Sequence, residues 1–109
     1  MIIELLGVSV PEVKKQEFGR AFTSLVGPIQ VQEGCLSCCV FQTWPNESQL
    51  QIEARWRSHE DLIRHLQSDV YKKLLLLVEL GTGPPVIEFF TVVELRGLDL
   101  VEIARNSRH

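Results

Sequence analysis

The sequence carries no surplus of positive charge: 11 Lys and Arg stand against 14 Asp and Glu, a formal net charge of −3, with the basic residues scattered among acids. No face is left to neutralise a run of phosphates, so nucleic acid is excluded as a partner. Long apolar runs are missing as well. Leu74 to Val78 falls far short of the roughly 20 residues that span a bilayer, and Met1-Ile2-Ile3-Glu4 has neither a basic segment nor a small-residue cleavage site. A cytoplasmic protein with no membrane contact is expected. Cysteine is scarce and odd in number: Cys35, Cys38 and Cys39 lie within one expected strand, whose alternation sends Cys38 and Cys39 to opposite faces. A Cys-x-x-Cys redox or metal pair needs a tight turn or a helix start, which Leu36, Val40 and Phe41 do not supply, and zinc needs two more ligands close by. The three are read as small apolar residues, and no metal is expected.

What is present describes one ordinary domain over residues 1–109: 45% of the residues are hydrophobic and 23% charged. A domain of this size buries only about two-thirds of its unfolded surface and gains much from dimerising. Ile2 to Val10 reads as a strand, and Pro11 opens a helix in which Val13, Phe18, Ala21, Phe22, Leu25 and Val26 recur at helical spacing. That helix is expected to end or kink at Gly27-Pro28. Cys35 to Thr43 and Gln49 to Trp56 form a hairpin around Trp44-Pro45-Asn46-Glu47-Ser48. Ser58 caps a short helix to about Leu66, with Asp61 at the capping-box position, and Asp69 caps another over Val70 to Leu80, apolar on more than one side. Gly81-Thr82-Gly83-Pro84-Pro85 breaks it, Val86 to Leu95 is the fourth strand, and Asp99 with Glu102 caps a final helix from Leu100 to Arg105.

Strand, helix, strand, strand, helices, strand is the split βαβ order of a ferredoxin-like α+β domain, with helices on one face of an antiparallel sheet. By alternation Ile3 and Leu5 oppose Ile2, Leu6 and Val8; Cys35, Cys39 and Phe41 oppose Leu36, Cys38 and Val40; Phe90 and Val92 oppose Ile87, Phe89 and Val93. Both faces of these strands are largely apolar, unlike an antiparallel sheet with one face in water. A second subunit is the simplest cover, which predicts a homodimer whose sheets meet face to face around an apolar cavity.

Glu33-Gly34-Cys35-Leu36-Ser37, then Arg55-Trp56-Arg57-Ser58, then His65 and Ser68 follow an order and spacing that resemble the antibiotic biosynthesis monooxygenase family. The element order over residues 2–95 agrees, and the tail through Ala104-Arg105, residues 98–106 as a helix, looks like an extension carried by some members. The resemblance implies a dimeric α+β barrel. It also implies one of several activities: cofactor-independent oxygenation of polycyclic phenols, quinol oxidation or haem degradation. Haem is not expected, because the axial histidine of those members falls at Leu75 and their cavity tryptophan at His65. The glutamate usual two residues before the tryptophan is Ala54, with Glu53 on the opposite face.

The expected site follows from chemistry. An oxygenase without cofactor needs a base, a dry chamber and a fixed substrate orientation. His65, an imidazole and so a side chain that can take up or give a proton, is the candidate base, on the flank of the helix face made by Leu62, Ile63 and Leu66. Trp56, Phe89 and Phe90 can supply flat walls, and Tyr71, Arg55 and Glu53 polar atoms. Gly34 is assigned a backbone conformation that a β-carbon disfavours. Two functions remain open: a monooxygenase acting on a small aromatic quinol or phenol, and a non-catalytic dimeric domain that binds a small ligand.

Overall fold

A computed structural model of the chain describes residues 1–45 and 48–107. The element order is β1 (Ile2–Ser9), a 3-10 turn (Glu12–Lys14), α1 (Lys15–Gln30), β2 (Cys35–Gln42), β3 (Gln49–Trp56), α2 (His59–Leu66), α3 (Asp69–Glu79), β4 (Thr82–Thr91) and α4 (Leu98–Asn106). The strands form one antiparallel sheet in the order β2-β3-β1-β4, the ferredoxin-like arrangement the split βαβ pattern requires. Asn46 and Glu47 of the hairpin turn lie outside the described residues.

One face of the sheet is core. β1 alternates strictly, burying Ile2, Glu4, Leu6 and Val8, and β3 sends Leu50, Ile52, Ala54 and Trp56 to the same side. Phe18, Phe22, Leu25 and Ile29 of α1 close over them with Leu62 of α2 and Tyr71, Leu74 and Val78 of α3. The other face presents Ile3, Leu5, Phe41 and Phe90, but β3 contributes Gln51, Glu53 and Arg55 there, so a polar stripe divides the apolar surface.

Several local expectations are corrected. Pro28 does not end α1, which runs on to Gln30. The proline donates no bond to the preceding turn, and the fully buried Ile29 ties the last turn to the core. The cap of α3 is Ser68, whose hydroxyl accepts from the Tyr71 amide, and Asp69 is the first helical residue. α3 is buried along Tyr71, Leu74 and Val78 only, leaving Leu75 and Leu76 exposed. α4 starts at Leu98 with Gly97 as its cap, and Asp99 lies inside the first turn, where its carboxylate accepts from the Gly97 amide and from Arg96.

β4 begins at Thr82 rather than Val86 and ends at Thr91 rather than Leu95. Prolines are admitted because β4 is an edge strand and because its register slips there: Gly7 faces Val86 while Ser9 faces Thr82, which leaves Pro84 and Pro85 inside the irregularity. A second slip falls between Cys35 and Ser37 of β2. It turns Cys35 onto the face of Trp56 and Ala54, together with Cys38, instead of opposite it.

Candidate functional site

The site is assembled on the helix-covered face. Trp56 ends β3 with its indole wholly buried, and the His65 ring stacks on it, centroids 4.3 Å apart and planes 26° from parallel. Tyr71 meets the imidazole in a T-shaped contact, centroids 5.1 Å apart. Ser68 fixes this spacing between α2 and α3, since its hydroxyl donates to the His65 carbonyl at 2.6 Å and accepts from the Tyr71 amide at 3.2 Å.

Glu4 lies at the centre, and the sequence reading did not single it out. Its carboxylate lies 3.1 and 3.2 Å from His65 Nε2 and accepts a bond of 3.0 Å from Trp56 Nε1. Glu4 and His65 have side chains 2% and 0% exposed, so a carboxylate and an imidazole share the dry interior and satisfy one another. The signal was available: Glu4 shares the parity of Ile2, Leu6 and Val8, so it had to face the core. The other nitrogen of His65, Nδ1, lies 2.6 Å from Gln32 Oε1, on the turn after α1.

The Glu4 charge bears on three neighbouring groups. Burial first, and then the Glu4 charge, push up the Tyr71 phenol. Burial likewise raises the Cys35 thiol, with Glu4 adding. The Cys38 thiol is pushed up to about 12, by burial first and then by Cys35, Glu4 and Cys39. All three cysteines are free. At neutral pH Cys38 is therefore a protonated, unreactive thiol. Among the described residues no group of three His, Cys, Asp or Glu side chains is placed to hold a metal ion.

The loop and helix around Gln32 are fixed by a second cluster. Gln32 to Cys35 is a β-turn closed by the Cys35 amide on the Gln32 carbonyl, with Gly34 at φ +83° in its third position. A β-carbon there would stand 2.1 Å from Asp61 Cγ. Asp61, 1% exposed, accepts from Ser58 Oγ, from Arg57 Nε and Nη2 and from Arg64 Nη2. The Ser58 bond first, and then Arg57 and Arg64, hold its carboxyl below the usual carboxylate range. The Arg57 amide bonds the Gly34 carbonyl, so the two sequence motifs meet in space.

Trp56, His65 and Tyr71 are thus brought into one stack. Phe89 shares their face of the sheet, directly across from Glu4, but is 43% exposed on the edge strand. Phe90, Arg55 and Glu53 belong to the opposite, open face. His65 is not on the flank of an apolar helix face: α2 buries Asp61, Leu62 and His65 and leaves Ile63 exposed, because the core here is polar. These four candidate residues therefore stand on the helix-covered side of the sheet and not on its open face. A groove of about 200 Å³ is lined by Gln32, Glu33, Asp61, Arg64 and His65, with the His65 ring itself buried behind it. A larger one of about 800 Å³, between α1 and β2, is lined by none of them.

The chain superposes on a protein of Deinococcus radiodurans described as a candidate antibiotic biosynthesis monooxygenase, TM-score 0.80 and 16% identity, over 89% of this chain and 97% of that one. A protein of Nitrosomonas europaea with the same description gives 0.77 and 14%, over 86% and 100%. A conserved protein of Methanosarcina mazei gives 0.74 and 27%, over 83% and 91%. No curated protein matches the chain in sequence. The family model for antibiotic biosynthesis monooxygenases matches residues 1–75, the stretch that carries Glu4, Gly34, Trp56, His65 and Tyr71. On that match, the chain belongs to the antibiotic biosynthesis monooxygenase family.

Proposed function

We propose that the protein is a cofactor-independent monooxygenase of small aromatic substrates, quinols or phenols, with His65 as the base and Trp56, Tyr71 and Phe89 as the surfaces that meet the ring. It works as a cytoplasmic homodimer, each chain a single domain over residues 1–109 with a core over 2–95 and a helical extension over 98–106. The observation that carries the reading is the buried imidazole, held between the Glu4 carboxylate and the Gln32 amide and stacked on Trp56. A histidine oriented through one nitrogen by a carboxylate, with the other bonded to a neutral amide that substrate can displace, is an arrangement a general base can use.

The reaction asks little else of the protein. A phenolic hydroxyl gives its proton to His65, and the resulting anion passes one electron to molecular oxygen. The two radicals combine, forming a bond between oxygen and a ring carbon. The O–O bond then breaks: one oxygen atom stays on the ring as a quinone carbonyl, and the other leaves as water, carrying the hydroxyl proton and the ring hydrogen. Trp56 and Tyr71, packed on the His65 ring, keep water from the imidazole, which strengthens the electrostatic contacts it makes.

Oxygen uptake with a panel of hydroquinones and naphthols, without added metal or flavin, tests the reading. Substrate-dependent uptake is expected, and His65→Ala is expected to reduce it by a factor on the order of 10²–10⁴. Full uptake by that variant would remove His65 as the base. Thermal stabilisation by these compounds without any uptake would favour the other reading, a non-catalytic ligand-binding domain of the same fold.

A further inference from the structure

Both ring nitrogens of His65 face side-chain oxygens, Nε2 the Glu4 carboxylate and Nδ1 the Gln32 Oε1. A neutral imidazole has one N–H and a protonated one has two. Glu4 when ionised accepts only, and it already takes the Trp56 N–H. Nε2 can therefore satisfy it only as N–H, in either protonation state of the ring. Gln32 is different, because its amide carries an oxygen at one side and an NH₂ at the other. Turned as it stands, its oxygen accepts from a protonated Nδ1; turned over, its NH₂ donates to a bare one. Nδ1 thus keeps a partner whether or not it holds a proton, and that partner, Gln32, is one of the residues that line the groove.

We propose that Glu4 and Gln32 are the positioning residues of His65: Glu4 pins the Nε2 proton, so that a proton taken from substrate arrives at Nδ1 from the Gln32 groove, and Gln32 reverses its amide as it does. This rests on the monooxygenase reading for its consequence in turnover and on the geometry alone for the tautomer. It also names the direction of approach. The acidic hydroxyl reaches His65 past Gln32, between α2 and the turn that follows α1, and not through the sheet. The charged and titratable groups facing this unit are Glu4, Tyr71, Cys35 and Cys38 within the core and Asp61, Glu33 and Arg64 at the groove.

Nitrogen NMR of the protein labelled at its 3 histidines tests this without any assay of activity. Neutral His65 is expected to carry its proton on Nε2 with Nδ1 bare. In Glu4→Gln, a glutamine at position 4 can turn its own NH₂ toward Nε2, and the proton is expected to move to Nδ1. A neutral wild-type ring protonated at Nδ1 would overturn the proposal, as would a Glu4→Gln tautomer identical to wild type. The double variant Glu4→Ala with Ala54→Glu guards against a mere folding defect. Position 54 lies directly across from position 4 on the same face, so a carboxylate returned from there is expected to restore the Nε2 proton that Glu4→Ala alone loses; failure to restore it in a folded protein counts against the proposal.

Turnover separates this proposal from the function it serves. Glu4→Gln is expected to lower kcat by a factor on the order of 10² or more with KM changed little. An unchanged kcat in an active enzyme would overturn the positioning role. A wild-type protein that consumes no oxygen with any substrate overturns the monooxygenase reading, while the tautomer measurement still decides the role of Glu4.

Discussion

Gly34 and Asp61 form one joint, and each explains the other. Gly34 adopts φ +83°, a region where a β-carbon costs roughly 1–2 kcal/mol, and the space that carbon would take is held by the Asp61 carboxylate. Gly34→Ala is therefore expected to destabilise the fold by about 2 kcal/mol or more, lowering Tm by about 8 °C or more in thermal unfolding; a loss of only a few tenths would mean that Asp61 moves aside freely. Asp61 adds a pH dependence whose sign follows from its lowered pKa. As acid is added, the unfolded chain takes up this proton first, near its ordinary value of about 3.9, so the stabilisation is complete above that value and is lost as the pH falls through the lower, folded one. Asp61→Asn is expected to flatten stability against pH in that acid window. The backbone role of Gly34 was legible in the sequence. The inward parity of Glu4 was legible too, but its pairing with His65 and that of His65 with Gln32 were not, because those partners lie 61 and 33 residues apart in the chain. The missing glutamate before the tryptophan has a counterpart here: Glu4 stands directly across the strand pair from Ala54.

At the scale of elements, capping and register decide what the sequence could tell. β3 and α2 fall where alternation and the Ser58 cap put them, because both signals are local. β4 and the start of α3 do not. A proline pair reads as a break, yet an edge strand with a slipped register accepts it. Ser68 and Asp69 are both good caps in isolation, and the choice is made by tertiary structure: the Ser68 hydroxyl is held by the His65 carbonyl at the end of the previous helix. Ser68→Ala is accordingly expected to cost about 1 kcal/mol, visible in urea unfolding as a lower midpoint at unchanged slope. Asp69→Ala, which removes only a charge near the helix start, is expected to cost about 0.3 kcal/mol. Equal losses would restore Asp69 as the cap. Because Ser68 also joins the backbones of His65 and Tyr71, its loss is expected to loosen the stack on Trp56.

The whole molecule is extended for a chain of its length. Its radius of gyration is 16.3 Å and its extents are 52 × 35 × 22 Å, against about 13 Å expected for a compact domain of this length. The excess lies in the C-terminal part: β4 is exposed along its entire length, and α4 has no buried residue although it carries Leu98, Leu100, Val101 and Ile103. Apolar surface of this kind marks an interaction site. A second copy placed against the open sheet face would cover Ile3, Leu5, Phe41 and Phe90, and the polar stripe of Gln51, Glu53 and Arg55 supplies charges of both signs that can pair across a two-fold axis. Light scattering is expected to give a mass twice the 12.4 kDa of the chain. Phe90 is 47% exposed in the single chain, so Phe90→Asp should leave the fold intact by circular dichroism while placing a charge in the interface. That variant is expected to read as monomer. A Phe90→Asp dimer would move the interface away from the open face, and a wild type monomeric at every concentration would leave β4 and α4 to a different partner.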